Sequence, residues 1–199
     1  MKVLLILGHP TKGSFNHAIA ETAKAKLREN GHEVIYHDLY AEKFDPILSG
    51  AEIPKGAELD SSIERHCREI SEADGIIIVH PNWWGQPPAI LKGYIDRVIR
   101  AGVAYEFLEG DNGEGVPNGL LNAETALVFN TANTPEEREL EVFGDPLETI
   151  WKNCIFDLCG VHYFYRKMYG VIVTSSPKER QIWLEDVEKT IDKYFPPQS

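Results

Sequence analysis

Short apolar runs alternate along the chain with segments whose apolar residues recur every three or four positions. Val3–Leu7 (VLLIL) and Gly75–His80 (GIIIVH) are continuous apolar runs, which favour strands buried on both faces. Recurrence at three or four positions favours amphipathic helices. The two clearest such faces comprise Phe15, Ala18, Ile19, Ala23 and Leu27, and Ile90, Leu91, Tyr94, Ile95 and Val98.

The remaining elements complete an alternation of strands and helices. Further strands are predicted at 33–39, 125–129 and 169–173, and the sequence leaves open an earlier start of the last one near Val161. Further helices are predicted at 61–71, 150–158 and 177–194, and Thr134-Pro135-Glu136-Glu137 resembles a capped helix start. This alternation predicts an α/β fold, with five parallel strands, helices on both faces and one domain over residues 1–199.

The amino-acid composition argues against several classes of binding partner. The 199 residues include 31 acidic and 20 basic ones, and a net charge of −11 argues against a nucleic-acid backbone or an anionic membrane as partner. Cys67, Cys154 and Cys159 are odd in number and match no zinc or redox spacing, so we predict free thiols and no metal site. No apolar run reaches spanning length and no secretory signal is visible, so we expect a cytoplasmic protein.

Three loops are the candidate ligand site. Open parallel sheets bind ligands beyond the carboxyl ends of their strands, which here are residues 8–16, 80–88 and 130–137. The first, GHPTKGSFN, enters a helix, whose free N–H groups attract anions. Gly13 would let the backbone approach a ligand, and Ser14 could cap the helix or donate to a phosphate. From its residues alone this loop is either an anion site or an ordinary capped turn.

The second and third loops add an apolar wall and small polar groups. HPNWWGQPP places Trp83 and Trp84 at the crevice, where a flat ligand could lie and backbone N–H groups near Gly85 could donate to it. Because neighbouring residues on an extended backbone point to opposite sides, we expect one indole to face the ligand and the other to pack down. NTANTPEE, the third loop, offers donors for the polar edge of a heterocycle.

Two segments resemble the flavodoxin-like NAD(P)H:quinone oxidoreductases. These are LILGHPTKGSFNHAIAE near the start and PNWWGQPPAILKGYIDRV at 81–98, and AGVAYEF at 101–107 adds to them. The resemblance implies a flavodoxin-like three-layer sandwich with strand order 2-1-3-4-5, a homodimer and a bound flavin. It implies FMN, with FAD as the alternative, and NADH or NADPH as electron donor. A quinone-like acceptor would be reduced by ping-pong hydride transfer.

The resemblance also implies roles for particular residues. It places His9, Ser14, Phe15 and Asn16 around the flavin phosphate, Pro81, Asn82, Trp83, Trp84 and Gly85 along the isoalloxazine ring, and Asn130, Thr131, Ala132 and Asn133 at its pyrimidine edge. Tyr105 and Phe107 would wall the substrate pocket of the partner subunit.

The chain departs from the family pattern in its third loop. Ala132-Asn133 replaces a double glycine, and neither the tyrosine nor the histidine that vertebrate enzymes place near the flavin carbonyl is found around Glu137 and Phe143. No catalytic residue is therefore assigned. Two alternative functions stay open: a flavodoxin-like one-electron carrier, and a flavin-binding ancillary subunit of a potassium-efflux system.

Overall fold

A parallel sheet forms the middle of the molecule in the computed structural model, which describes residues 1–108, 110 and 115–198. Its strands are β1 (Lys2–Leu7), β2 (Glu33–Asp38), β3 (Gly75–Pro81), β6 (Thr125–Thr131) and β7 (Tyr163–Tyr169). They pair in the order β2-β1-β3-β6-β7, and all four pairings are parallel. A separate antiparallel pair joins β4 (Tyr105–Glu106) to β5 (Asn118–Gly119). Counting only the strands of the large sheet, this is the predicted order 2-1-3-4-5.

Helices cover both faces of the sheet. They are α1 (Phe15–Glu29), α2 (Ser61–Glu72), α3 (Ala89–Val98), α4 (Glu136–Glu141), α5 (Pro146–Glu148) and α6 (Pro177–Tyr194), with a π-helix at Thr149–Phe156 and 3-10 turns at Gly50–Glu52 and Ile172–Thr174. One apolar core joins α1 and α6 to the sheet, and a second joins α2, α3 and the π-helix to its other face. The predicted three-layer α/β sandwich is thus confirmed.

Two predicted boundaries are wrong. The fifth strand is β7, which begins close to the earlier start left open near Val161 but ends at Tyr169, and Ile172–Thr174 forms a 3-10 turn instead of the predicted continuation to 173. β7 is an edge strand of half-buried aromatic and basic residues (YFYRKMY), so it lacks the continuous apolar run that marks the central strands. Thr134 does not cap α4, because the residue before this helix is Pro135 and no side chain accepts from its first turn.

The turn that enters α1 has the predicted cap. Ser14 accepts from the backbone N–H of His17, and Gly31 takes the left-handed conformation (φ 83°) after the last helical turn. Among the residues described, no helix combines the length and the apolar character needed to cross a membrane. The β1–α1, β3–α3 and β6–α4 connections all lie at the carboxyl edge of the sheet, which places the three candidate loops side by side.

Candidate functional site

Two adjoining cavities form one cleft at this edge. The first, of about 380 Å³, is lined mainly by polar groups from all three loops and by Arg180 of α6. The second, also about 380 Å³, is lined by Trp84, Gly85, Phe143 and Pro146, together with Arg138 and Glu139. Asn82 and Thr134 line both cavities, so a ligand can span them. We call these two parts the polar half and the apolar half.

The start of α1 supplies donors to the polar half. The N–H groups of Phe15 and Asn16 lie in the first helical turn and have no hydrogen-bond partner among the residues described. Asn16 donates from Nδ2 to Thr131 Oγ1 at 2.8 Å, while its buried Oδ1 has no partner. The guanidinium of Arg180 lies 6.0 Å from the Phe15 ring. Positive charge and free donors therefore converge where an anionic group would bind.

His9 closes the polar half towards the tryptophans. Its Nδ1 accepts from the backbone N–H of Thr11 at 3.1 Å, so the neutral ring carries its proton on Nε2. Burial lowers the pKa of His9, which favours this neutral form. The ring centroid lies 6.1 Å from that of Trp83, so the first and second loops are in contact.

The two tryptophans belong to a tight turn. Trp83 N–H donates to Gln86 O at 3.1 Å and Gln86 N–H donates to Trp83 O at 3.0 Å. Between them Trp84 and Gly85 have φ values of 59° and 70°, the conformation of a type I′ turn. Trp83 is 42% exposed and Trp84 is 100% exposed. The prediction that one indole packs down is wrong, because neither indole is buried and Trp83 lies against His9 at the cleft.

The turn uses most of its own donors. Gly85 N–H donates to Asn82 Oδ1 at 3.0 Å, and Trp83 N–H is taken by Gln86. Among the described residues of the second and third loops that line the cleft, Trp84, Asn133 and Thr134 have N–H groups without a hydrogen-bond partner. A Cβ at position 85 would approach Pro146 Cγ to 2.7 Å, so only glycine lets this turn contact the first residue of α5. Of the backbone N–H donors that the sequence predicts near Gly85 in the second loop, the N–H of Trp84 is therefore the one left for a ligand.

One positively charged side chain that lines the apolar half is not predicted by the sequence. Arg138 lines the cavity and its guanidinium lies 5.5 Å from the centroid of the Phe143 ring. Arg180 and Thr134, in the polar half, were missed as well. Arg138 and Arg180 stand on helices whose placement depends on the fold, so residue spacing in the sequence could not assign them to the cleft.

Asn130 lies beneath the cleft. Its buried side chain donates from Nδ2 to His80 Nε2 at 2.7 Å and accepts at Oδ1 from Arg166 at 3.1 Å. His80 Nε2 also accepts from the indole N–H of Trp151 at 2.9 Å, and its Nδ1–H donates to Pro81 O at 2.8 Å. Arg166 pairs with Asp145 and Glu148. The side chain of Asn130, predicted at the ligand, is thus part of the floor that joins β3, β6 and β7.

Full burial holds His80 in its neutral form. Burial is the main reason that the pKa of His80 is lowered to about 4; the hydrogen bond to Pro81 O opposes it, and the nearby Arg166 charge adds to it. The neutral ring with its proton on Nδ1 matches the hydrogen bonds on both nitrogens. Protonation would remove the acceptor that Asn130 and Trp151 share.

Tyr105 and Phe107 do not line the cleft of their own chain. They line a separate cavity of about 390 Å³, beside apolar residues of α3 and the π-helix. The remaining predicted residues do converge on the cleft: His9, Ser14, Phe15, Asn16, Pro81, Asn82, Trp83, Trp84, Gly85, Thr131, Ala132 and Asn133.

A parallel five-stranded sheet with helices on both faces and a cleft at its carboxyl edge defines a flavodoxin-like protein. Residues 1–192 match the family model Flavodoxin_2, which describes a flavodoxin-like fold. An uncharacterized NAD(P)H oxidoreductase of Haemophilus influenzae is 35% identical over 189 residues, which cover 93% of this chain and 91% of that protein.

Two further relatives agree in type. NAD(P)H dehydrogenase (quinone) 1 of Rattus norvegicus is 29% identical over an alignment that covers 100% of this chain and 81% of the rat protein. The structure of NAD(P)H:quinone oxidoreductase from Methanothermobacter marburgensis has a TM-score of 0.84 at 27% identity, with 96% of each chain covered. The chain belongs to the flavodoxin-like NAD(P)H:quinone oxidoreductase family.

Proposed function

We propose that this protein is an NAD(P)H:quinone oxidoreductase that holds FMN in the cleft and reacts by ping-pong exchange. The observation that carries the proposal is the cleft itself, in which an anion-binding half and an apolar half meet at Asn82 and Thr134. The relatives support the reaction class, and the shape and chemistry of the cleft support the binding of the reactants there.

The polar half fits the phosphate and polar chain of FMN. The free N–H groups of Phe15 and Asn16, the Ser14 hydroxyl and the Arg180 guanidinium would hold the phosphate. The buried and unpaired Oδ1 of Asn16 would accept from a ligand hydroxyl. FAD is the alternative cofactor, and it would share these phosphate contacts.

The apolar half fits flat rings. Flavin, when bound, supplies two-electron exchange between a nicotinamide and an acceptor. The exposed indole of Trp84 and the ring of Phe143 provide apolar surfaces for stacking, and the N–H groups of Trp84, Asn133 and Thr134 could donate to ring heteroatoms. The positive charge of Arg138 favours a ligand whose negative charge lies at this end. Because the nicotinamide and the acceptor would occupy the same apolar half, they would bind one after the other.

The first test separates phosphate binding from ring binding. Apoprotein is titrated with FMN and with riboflavin, which lacks the phosphate. We expect Arg180→Gln to weaken FMN by about tenfold to a hundredfold, since a hydrogen bond to a charged group contributes about 1.5–3 kcal/mol, and to leave riboflavin unchanged. Lys178→Gln, on the exposed first turn of the same helix, is the control. Equal loss for both ligands, or no flavin binding at all, would overturn the placement.

The second test addresses the reaction. Anaerobic mixing with NADH or NADPH should bleach the flavin absorbance in a single two-electron phase, and a quinone should restore it. A one-electron carrier would not be bleached by the nicotinamide, and that result would reject the oxidoreductase. The same experiment identifies the preferred nicotinamide.

We further propose a homodimer in which Tyr105 and Phe107 contact the partner's cleft. These residues point away from their own cleft, and Phe107 (41% exposed) and Leu108 (60% exposed) present an apolar surface. Light scattering should give twice the chain mass for the wild type and a monomer for Phe107→Asp. We also propose a single domain over residues 1–199 and a cytoplasmic location, which the three free thiols favour.

A further inference from the structure

A cluster of two histidines and two glutamates lies away from the cleft, between the end of β2 and α2. His37 and His66 are 4% and 2% exposed, and their ring centroids are 4.3 Å apart. Glu42, on the turn after β2, contacts both rings, and Glu69 contacts His37. The adjoining cavity of about 320 Å³ shares no lining residue with the cleft. The proposed oxidoreductase reaction leaves this cluster without a role.

The hydrogen bonds of His37 need a positive charge. Its Nδ1 lies 2.9 Å from Glu42 Oε1, and its Nε2 lies 2.8 Å from Glu69 Oε2. A neutral imidazole carries one proton and a carboxylate carries none, so only one of the two contacts can be an ordinary hydrogen bond. The other requires a second proton, on the ring or on Glu42, or a cation between Nδ1 and Glu42.

The second histidine points to the cation. His66 Nε2 lies 3.9 Å from Glu42 Oε2, and His66 Nδ1 is buried without a partner. The hydroxyl of Tyr94, whose ring is 5.4 Å from that of His66, is also buried and unpaired. One ligand atom from each of His37, Glu42 and His66 lies within 4.8 Å of the other two. The two unpaired groups leave the surroundings of His66 incompletely hydrogen-bonded, and the grouping of the three ligand atoms is what points to a cation.

We propose that His37, Glu42 and His66 bind a divalent transition-metal ion of the zinc class. Bonds of about 2.0–2.1 Å in tetrahedral geometry separate ligand atoms by roughly 3.3 Å. Here His37 Nδ1 lies 2.9 Å from Glu42 Oε1 and His66 Nε2 lies 3.9 Å from Glu42 Oε2, so the Glu42 carboxylate would rotate to present one oxygen to the ion. Three protein ligands leave a fourth position, and two of them, Glu42 and His66, line the adjoining cavity. Two imidazoles and one carboxylate suit Zn²⁺ and its neighbours better than Mg²⁺ or Ca²⁺.

Glu69 and Arg65 contact the proposed ligands but would not themselves bind the metal. Glu69 accepts from His37 Nε2–H and so directs the Nδ1 lone pair towards the metal, which is the usual support for a ligating histidine. Arg65 lies 3.8 Å from Glu42 and competes for its carboxylate, but its side chain is 48% exposed and can leave. The three ligands come from β2, the following turn and α2, so no short motif exists, and the sequence-based prediction of no metal site gives way to this proposal.

The test is a zinc titration of the flavin-loaded protein in metal-free buffer, against a chromophoric chelator. Cys154→Ser is the background, because this exposed thiol could itself bind zinc. We expect one equivalent of Zn²⁺ per chain. Glu42→Gln should weaken it by about 100-fold or more and Glu69→Gln by about 10–100-fold, the usual cost of an outer partner. Arg65→Gln should tighten it several-fold, and the exposed His162→Gln should change nothing.

Three results would overturn the site, and two of them come from the titration. One is the absence of zinc binding by the background protein, which would leave His37 as an imidazolium between two carboxylates. The other is zinc binding that Glu42→Gln leaves unchanged. Zinc-edge X-ray absorption of the background protein provides a test that depends on no ligand variant. Two imidazole nitrogens in the first shell would support the site, and a shell without imidazole would reject it.

Discussion

Three hydrogen bonds meet at the imidazole of His80, and two of them need its lone pair. Asn130 and Trp151 both donate to Nε2, so the acceptor joins β6 and the π-helix to β3 directly under the cleft. A charged ring could not keep these bonds. The state of one buried side chain therefore affects the floor on which the ligand loops stand.

His80 makes stability fall in acid. Its pKa is near 6.5 in the unfolded chain and about 4 in the fold, so the contribution is complete above pH 6.5 and is lost as the pH falls to 4. The free energy of unfolding should drop by roughly 3 kcal/mol in this window from His80 alone. Urea unfolding of the wild type and of His80→Gln between pH 7 and 4 measures it as the difference between the two curves. Parallel curves would contradict the assignment.

Trp84 and Trp83 should respond differently to the same substitution. Trp84, fully exposed at φ 59°, loses no packing in Trp84→Asn, and asparagine suits the first position of a type I′ turn. The apoprotein should gain about 1 kcal/mol of unfolding free energy. Trp83→Asn breaks the contact with His9 and should give no gain. Urea midpoints of the two apoproteins make the comparison, and FMN release should also differ between them. A stabilised Trp83→Asn would contradict this account.

The sequence predicts the position of the cleft from its three loops, but it does not predict the two arginines that line the cleft. Residues 8–16, 80–88 and 130–137 could be predicted because the carboxyl ends of parallel strands meet at one edge of a sheet. Arg138 and Arg180 could not, because their entry into the cleft depends on where α4 and α6 lie. Asn130 directly follows a predicted strand, which suggested a place at the ligand. Its side chain instead bonds to His80 and Arg166, and these tertiary contacts cannot be predicted from the sequence.

At the scale of elements, the continuous apolar strands were predicted well and the edge strand was not. β1 and β3 are buried on both faces and carry an unbroken apolar run. β7 has a neighbour on one side only, and its aromatic and basic residues give a weak pattern, while the apolar residues near Ile172 belong to a turn. Burial on both faces, and not strand formation itself, produces the signal.

The Trp84-Gly85 turn packs closely against the first residue of α5 at Gly85. Gly85→Ala should destabilise the protein more than Gly144→Ala, although both glycines have φ near 70°. A Cβ at Gly144 meets nothing within 4 Å, so only the strain of about 1 kcal/mol applies. At Gly85 the approach to Pro146 adds an overpacking cost of about 1–3 kcal/mol. Urea unfolding measures both, and equal losses would mean that the turn and Pro146 move apart without cost.

At the scale of the whole molecule, the net charge of −11 should slow the approach of anionic nicotinamides. The kcat/KM for NADH or NADPH should rise as ionic strength increases from about 0.01 M to 0.15 M, because the Debye length falls from about 30 Å to 8 Å. The kcat/KM for an uncharged quinone should stay constant and serves as the internal control. A fall for the nicotinamide would show instead that the local charges of Arg138 and Arg180 outweigh the net charge.

The extreme exposure of Trp84 also gives the molecule an optical reporter. Of the four tryptophans, Trp84 is fully in water while Trp151 is fully buried, so their fluorescence emission should separate by wavelength. A flat ring that stacks on Trp84 would quench the long-wavelength part and leave that of Trp151 largely in place. The filling and emptying of the apolar half could then be followed in real time on the unlabelled wild-type protein.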